Sequence, residues 1–421
     1  MSRPSPTSPL RLGLIGFGCV GQGLYDILQR QPAAGFVVQR IAVKNPTKLR
    51  PLPADRFEFH ADDLLDDPSL DILVEVIDDP AEAFRLVSEA LRRGRRVVTA
   101  NKAMVARHLP ELIALQRRFG GTLLYEAAVC GSIPVIRTID AYFGQEALPE
   151  VSGIFNGSSN YVLTGMTSAG ADYATVLAEA QAQGFAETDP TLDMAAFDPR
   201  AKAVILAAHA HGRLLDPDQV LNLGIEHITA ADIRFAAGRG QKIKVVACLH
   251  RLPGGGTTVF VAPQLLGPES PLYHVEREFN GVEVEAEFAG PHFWRGRGAG
   301  GHPTGSAVLA DLAALRAGFR YAYPKLGALT TTLPADLEVE VYLRNLPQPL
   351  QAALALRDVS DAPAAPDRAE DYVIGYARLS LLHRHRDALR AAGAFVARTG
   401  PLRPVAEVPA PAHREPAVLA G

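Results

Sequence analysis

The chain reads as an α/β protein: a Rossmann-type doubly wound parallel sheet, an α+β second domain, and a small C-terminal α+β region. Three observations predict this. A short apolar run feeds a glycine turn that opens an amphipathic helix, strand-like and helix-like segments then alternate, and the pattern changes beyond Ile133-Pro134.

Leu10 to Gly16 (LRLGLIG) has the apolar run of a buried strand, and Gly16-Phe17-Gly18-Cys19-Val20-Gly21 leads from it into a helical stripe of Val20, Leu24, Ile27 and Leu28. Further strands are expected at Phe36 to Lys44, Asp71 to Ile77, Arg95 to Ala100 and Thr122 to Val129, with helices at Pro80 to Arg93 and Ala103 to Phe119. Past Ile133-Pro134, Val151 to Phe155 reads as a strand, followed by a polar turn, a helix-rich stretch and alternating strands such as Val282 to Phe288. The glycine-rich Gly296 to Gly301 and the apolar helix after Thr304 return the chain to the first domain, which makes a cleft where ligands usually bind. From about Gly327 a third region holds strands at Leu337 to Arg344 and Tyr372 to Ser380, a helix at His383 to Ala392 and a last strand at Ala394 to Ala397. The expected division is 10–135 with 300–325 for the dinucleotide-binding domain, 136–299 for the substrate-binding and dimerisation domain, and 326–405 for the C-terminal region. Residues 1–9 and 406–421 are expected to be disordered ends, and Asp361 to Asp367 a loop.

At 421 residues, about half of them apolar, the chain is long enough for two or three packed domains. The net charge of −4 arises from nearly balanced acids and bases with no basic stripe, so nucleic acid is not an expected partner. Cys19, Cys130 and Cys248 are too few and too scattered for a disulfide framework or a cysteine-rich zinc site, which fits a reducing cytoplasm. No signal-peptide core and no run long enough to span a bilayer occurs, so no membrane partner is expected.

A lone G-x-G-x-x-G is weak, but here it follows a strand and opens a helix. The first glycine makes the turn, the second admits a pyrophosphate and the third permits close packing, while the helix N-terminus attracts the negative charge. Phe17, Gly18, Cys19, Val20 and Gly21 are therefore the expected cofactor contacts. Where an NAD enzyme usually has an acid after its second strand, this chain has Lys44-Asn45 followed by Lys48 and Arg50. Cations there favour the 2′-phosphate of NADP, with NAD still possible; a solvated basic loop is the other reading.

The segment Ala186 to His211 gathers acids around a lysine. Asp198-Pro199 is read as an N-cap and first-turn pair, which puts Lys202 one turn inside the helix on the same face as Asp198. On this segment alone, a plain cap with a surface partner is the competing reading.

Five further segments stand beside it: Val97-Val98-Thr99-Ala100-Asn101-Lys102-Ala103, Tyr125 to Pro134 (YEAAVCGSIP), Asn156-Gly157-Ser158-Ser159-Asn160-Tyr161, Gly184 to Pro190 (GFAETDP) and Gly298 to Thr304 (GAGGHPT). In order and spacing the set resembles the homoserine dehydrogenases, in the monofunctional form without an aspartate kinase domain, from about Leu12 to Tyr323. The resemblance implies NAD(P)-dependent interconversion of L-homoserine and L-aspartate 4-semialdehyde in threonine, methionine and isoleucine biosynthesis. It implies Lys202 as proton donor, Lys102 at the nicotinamide end of the cofactor and the substrate, and Glu187, Asp193 and Asp198 holding the amino acid and orienting the lysine. Gly184 and Gly300 join the cofactor contacts on the same ground. It also implies a monovalent cation, sodium, on main-chain carbonyls of Glu126, Val129, Gly131 and Ile133, and a homodimer formed through the second domain. These roles make chemical sense. Hydride delivered to an aldehyde leaves an alkoxide that needs a proton and a positive field, and an α-ammonium group needs a carboxylate opposite it.

Both lysines are present, unlike what is expected of a catalytically silent NADP sensor, while an oxidoreductase for another amino aldehyde would share the same architecture. The chain departs from the family at Asp78-Asp79-Pro80, where many members have two glycines, and at Cys130 and Ser132, where small residues are usual. Its third region lacks the glycine-containing first turn of the family's regulatory domain, so no feedback inhibition is inferred.

Overall fold

The computed structural model describes residues 8–252, 256–327, 336–361 and 372–405. The expected disorder of residues 1–7 and 406–421 and most of the Asp361 to Asp367 loop lie outside the described residues. In the first body, β1 (Leu10–Ile15), α1 (Cys19–Arg30), β2 (Phe36–Ala42), β3 (Phe57–Glu58), α2 (Asp62–Leu65), β4 (Ile72–Glu75), α3 (Pro80–Arg92), β5 (Arg96–Thr99), α4 (Lys102–Phe119) and β6 (Thr122–Leu124) follow in order. The six strands form one parallel sheet in the order β3-β2-β1-β4-β5-β6. Helices cover both faces, so Leu12, Leu14 and all of Ile72 to Glu75 are buried. Helix starts follow local chemistry. The Asp79 carboxylate accepts the amide protons of Ala81 and Glu82 ahead of Pro80, and the Asn101 side chain accepts that of Met104. Of the Asp78-Asp79-Pro80 departure, Asp79 thus has one plain structural role in capping α3.

Two expectations are corrected. The run Thr122 to Val129 is strand only to Leu124, because Glu126–Ala128 winds into a 3-10 turn pinned by buried polar bonds that alternation cannot reveal. The helix expected at His383 to Ala392 is two short helices, and β3 with α2 had no clear signal.

The second body contains α5 (Val135–Arg137), β7 (Glu150–Ile154), α6 (Gly157–Ala169), α7 (Tyr173–Ala182), α8 (Thr191–Met194), α9 (Phe197–Ala210), β8 (Leu221–Asn222), α10 (Ala230–Gly238), β9 (Lys242–Arg251), β10 (Thr257–Leu266), β11 (Phe279–Ala286) and β12 (Gly290–Arg297). After it, α11 (Gly301–Arg316) packs back along α1. The C-terminal part runs β13 (Leu337–Arg344), α12 (Gln348–Leu354), β14 (Arg357–Asp361), β15 (Tyr372–Arg378), α13 (Leu379–Arg384), α14 (Arg386–Ala391) and β16 (Phe395–Pro404). Its order β16-β13-β15-β14 is a split βαβ arrangement, and β16 lies parallel to β10, so the strands of the two parts form one mixed sheet, β12-β11-β7-β9-β10-β16-β13-β15-β14. Alternation along β9 splits the burial. Val245, Ala247 and Leu249 join the core shared with the first body, whereas Val246 and Cys248 pack on the other face with Val339, Leu343 and Val396. Among the described residues no helix is long and apolar enough to cross a membrane.

Candidate active site

The carboxyl ends of the parallel strands carry the site, at the switch point between β1 and β4 where α/β sheets hold ligands. Gly16 leaves β1 with φ +102°, and a Cβ there would lie 2.8 Å from the Val76 carbonyl oxygen, so only glycine makes this turn. Gly18 precedes α1 with no side-chain cap, and a Cβ placed on it would meet nothing within 4 Å. The first amides of α1 therefore face open space. Gly300 likewise precedes α11 without a side-chain cap, and Gly301 packs against the Cys19 carbonyl, which brings a second helix N-terminus beside the first. Two uncapped helix N-termini beside the open space at Gly18 fit a pyrophosphate. Lys44 lies exposed two residues beyond β2, and the Asn45 side chain folds the following turn by accepting from Thr47 and Lys48.

At the end of β4, beside β1, the buried Glu75 carboxylate accepts from the Ile77 amide and from the Thr99 hydroxyl, whose oxygen accepts from the Asn101 amide. Burial pushes Glu75 up to about 7. Asn101 then caps α4, and Lys102 is its first residue. A chain of buried bonds thus fixes where the Lys102 side chain begins.

Lys102 reaches across to α9, where its ammonium lies 2.8 Å from Asp198 Oδ1. Asp198 Oδ2 lies 2.7 Å from Lys202 Nζ, one turn along the same helix, and Lys202 also donates to the Phe155 carbonyl at 2.7 Å. Asp198 is 6% exposed and the Lys202 side chain 9%, so both charges sit almost out of water. Burial pushes the Asp198 carboxyl up, but the charges of Lys102 and Lys202 outweigh it and hold Asp198 well below the usual carboxylate range. The Asp198 charge in turn raises Lys102 above its ordinary value. Asp193 is pushed up by burial and by the nearby Asp198 charge. The Asn156 amide donates to both acids, at 2.6 Å to Asp193 Oδ1 and 2.9 Å to Asp198 Oδ2.

The N-cap role expected for Asp198 is corrected. Ala196, in a left-handed conformation with φ 62°, turns the chain into α9, and Asp198 is the second helical residue with its carboxylate given to the lysines. Lys102, Glu187, Asp193 and Asp198 line one cavity of about 270 Å³, with Arg107 and Arg200 at its wall, which is room for a small amino acid. Glu187 sits on a loop held by Gln181, whose amide donates to the Glu187 and Thr188 carbonyls. Gly184, φ +76°, ends the preceding turn with open space around it.

The four carbonyls expected to hold a cation belong to a bend after β6. Cys130 and Gly131 both have positive φ, 55° and 51°, and the Glu126 carboxylate accepts from the amides of Ile136 and Arg137 while its own amide donates to Asp311. The carbonyls of Glu126 and Ile133 each accept one amide; those of Val129 and Gly131 accept none among the described residues. The bend is thus rigid and has oxygens to spare, the donor set that hard cations take. Burial lifts the Cys130 and Cys248 thiols to about 12 and about 11, which suits packing and not nucleophilic attack.

Residues that the sequence reading left without a role are Glu75, Thr99, Asn101 and Asn156. Asn101 and Asn156 each precede a helical run and could be read as caps. That their second functional atoms reach across the fold has no local signature.

Two family models match the chain: "Homoserine dehydrogenase, NAD binding domain" over residues 16–126 and "Homoserine dehydrogenase" over residues 134–313. A homoserine dehydrogenase of Bacillus subtilis (strain 168) is 35% identical over 320 residues, covering 74% of each chain. The crystal structure of a homoserine dehydrogenase from Thiobacillus denitrificans superposes with a TM-score of 0.79 at 30% identity, covering 93% of this chain and 98% of that one. A hyperthermophilic archaeal homoserine dehydrogenase in complex with NADPH matches with a TM-score of 0.64 at 25% identity over 74% of this chain and 99% of that one. A parallel sheet with a glycine turn, a cavity lined by Lys102 and by the Asp198 that also pairs with Lys202, and these matches together establish that the chain belongs to the homoserine dehydrogenase family, NAD(P)-dependent oxidoreductases acting on a CH–OH group.

Proposed function

We propose that Lys202 is the proton donor when L-aspartate 4-semialdehyde is reduced to L-homoserine, and that Lys102 supplies the second positive charge at the reacting oxygen. The observation that carries this reading is one buried carboxylate, Asp198, shared by two ammonium groups at 2.7 and 2.8 Å. Lys202 has three N–H donors, of which Asp198 and Phe155 take two. The reading gives the third to the substrate oxygen. A bound nicotinamide supplies the hydride to the aldehyde carbon. As the carbonyl becomes an alkoxide, Lys202 Nζ gives up its proton to that oxygen, and Asp198 holds the ammonium aligned for the transfer. Glu187 and Asp193 take the α-ammonium group of the amino acid from the cavity wall.

The same reading gives the 2′-phosphate of NADP to Lys44 and the pyrophosphate to residues 17–21 with Gly300. It gives a sodium ion to the carbonyls of Glu126, Val129, Gly131 and Ile133, and a homodimer to the second body, where the edge strand β12 leaves Phe293 and the adjoining Phe288 exposed. Absorbance of the reduced cofactor, followed with homoserine and NADP, tests the assignment. Lys202→Ala is expected to lower kcat by about 10²- to 10⁴-fold, with the NADP dissociation constant nearly unchanged because the lost interaction belongs to the transition state. An undiminished kcat would refute the role of Lys202. Rates compared in sodium, potassium and a bulky organic cation test the ion, and identical rates would remove it.

A further inference from the structure

We propose that Asn156 is a positioning residue for the proton donor: its side-chain amide, oriented by the first turn of α6, holds the Asp193 and Asp198 carboxylates so that Asp198 presents Oδ2 to Lys202 and Oδ1 to Lys102. The inference rests on the proposed proton-donor role of Lys202.

Asn156, 4% exposed, lies two residues beyond β7 and caps α6. Its Oδ1 accepts the Ser159 amide at 2.8 Å, as an N-cap does. That bond settles the orientation of the amide, because only the oxygen can face an N–H. Both protons of Nδ2 therefore point away from the helix, one to Asp193 Oδ1 at 2.6 Å and one to Asp198 Oδ2 at 2.9 Å. The oxygen it reaches on Asp198 is the one that receives Lys202. The neighbouring Phe155 carbonyl is the second acceptor of that lysine. Two consecutive residues at the β7–α6 junction thus grip both members of the ion pair, the ammonium through a carbonyl and the carboxylate through an amide.

Among the described residues, Asn156 is the side chain whose hydrogen bonds join the two acids. The charged and polar groups facing them come from several elements: Lys102 from α4, Lys202 from α9, Glu187 from the cavity loop, Ser158 from α6 beside Asp193, and the buried Cys130 thiol from the bend. Burial and the Asp198 charge already favour a proton on Asp193. Once protonated, Asp193 would donate to Asp198 and compete with Lys202 for the same oxygen. Asn156 keeps that site reserved by satisfying both acids while they remain ionised.

Asn156→Ser keeps a helix-capping oxygen and removes both amide donors; Asn156→Thr does the same and serves where the serine variant does not fold. The expected result is a kcat lowered about 30-fold, from the loss of charge-assisted hydrogen bonds, with a smaller change in KM for homoserine. The acidic limb of the kcat profile moves to higher pH and the NADP dissociation constant stays close to that of the parent, while the melting temperature falls by a few degrees. Combined with Lys202→Ala, the Asn156 substitution is expected to add no further loss, because it acts through that lysine. A kcat within about twofold of the parent, or an equal fold-loss in the Lys202→Ala background, overturns the proposal. If Lys202→Ala itself keeps full kcat, the proton-donor reading fails instead, and the two failures are distinguished by the single variants.

Discussion

Asp198→Asn keeps the shape of the central carboxylate and removes its charge. Lys202, with a side chain 9% exposed, would then meet the Phe155 carbonyl and a neutral amide, which has no charge to share between the two lysines as the carboxylate does. Breaking a buried pair by neutralising one partner costs about 3–5 kcal/mol. The Lys102 contact is partly screened, since that side chain is 45% exposed. The low end of the range, about 3 kcal/mol, is therefore the appropriate figure. That figure is a loss of folding stability; for the rate, a positioned proton donor contributes about 10²- to 10⁴-fold, so a misaligned Lys202 predicts a kcat for aldehyde reduction lowered roughly 100-fold. A second signature follows from Lys102, which Asp198 holds above its ordinary pKa against the opposing pull of burial. With the charge gone, Lys102 loses its proton at lower pH, so the alkaline limb of the rate profile moves down. Initial rates of NADPH oxidation from about pH 6 to about pH 10 measure both effects. A variant with kcat within about threefold of the parent and an unmoved alkaline limb would show that Asp198 does not organise the proton donor.

Lys44→Ala is expected to lower kcat/KM with NADP about tenfold relative to NAD, the loss of one exposed charge-assisted contact to a 2′-phosphate; an unchanged cofactor ratio would detach Lys44 from specificity. Glu75→Gln should alter stability in a pH-dependent way. Burial raises the folded carboxyl from 4.5 to about 7, so its contribution is fully present below pH 4.5 and is lost as pH rises through 7. At about 1.4 kcal/mol per unit, the glutamine variant should be more stable than the parent by about 3 kcal/mol at pH 8 and equal to it at pH 4. Urea midpoints at the two pH values test this, and the same difference at both would refute it.

Much of this protein was open to reading from residue order. The glycine turn declares itself because the strand before it and the helical stripe after it are written in neighbouring residues. The pairing of Asp198 with Lys202 follows from helical periodicity alone, even though the cap assigned to Asp198 belongs to Ala196. The 3-10 turn at Glu126–Ala128 was less legible, since its apolar composition suits a strand and its cause is a carboxylate bonded to amides across the bend.

Sequence alone determined the nucleotide-binding end, the lysine-bearing helix and the family to which the motifs point. Only the tertiary structure decided that Lys102 on α4 shares Asp198 with Lys202, that Asn156 spans two acids from another helix cap, and that β16 carries the C-terminal strands into the sheet of the second body. The physical reason is range. Periodicity and turn chemistry act over a few residues, whereas an ion pair between helices or a strand added to a sheet edge exists only once separate hydrophobic faces have packed and fixed the distance between the groups.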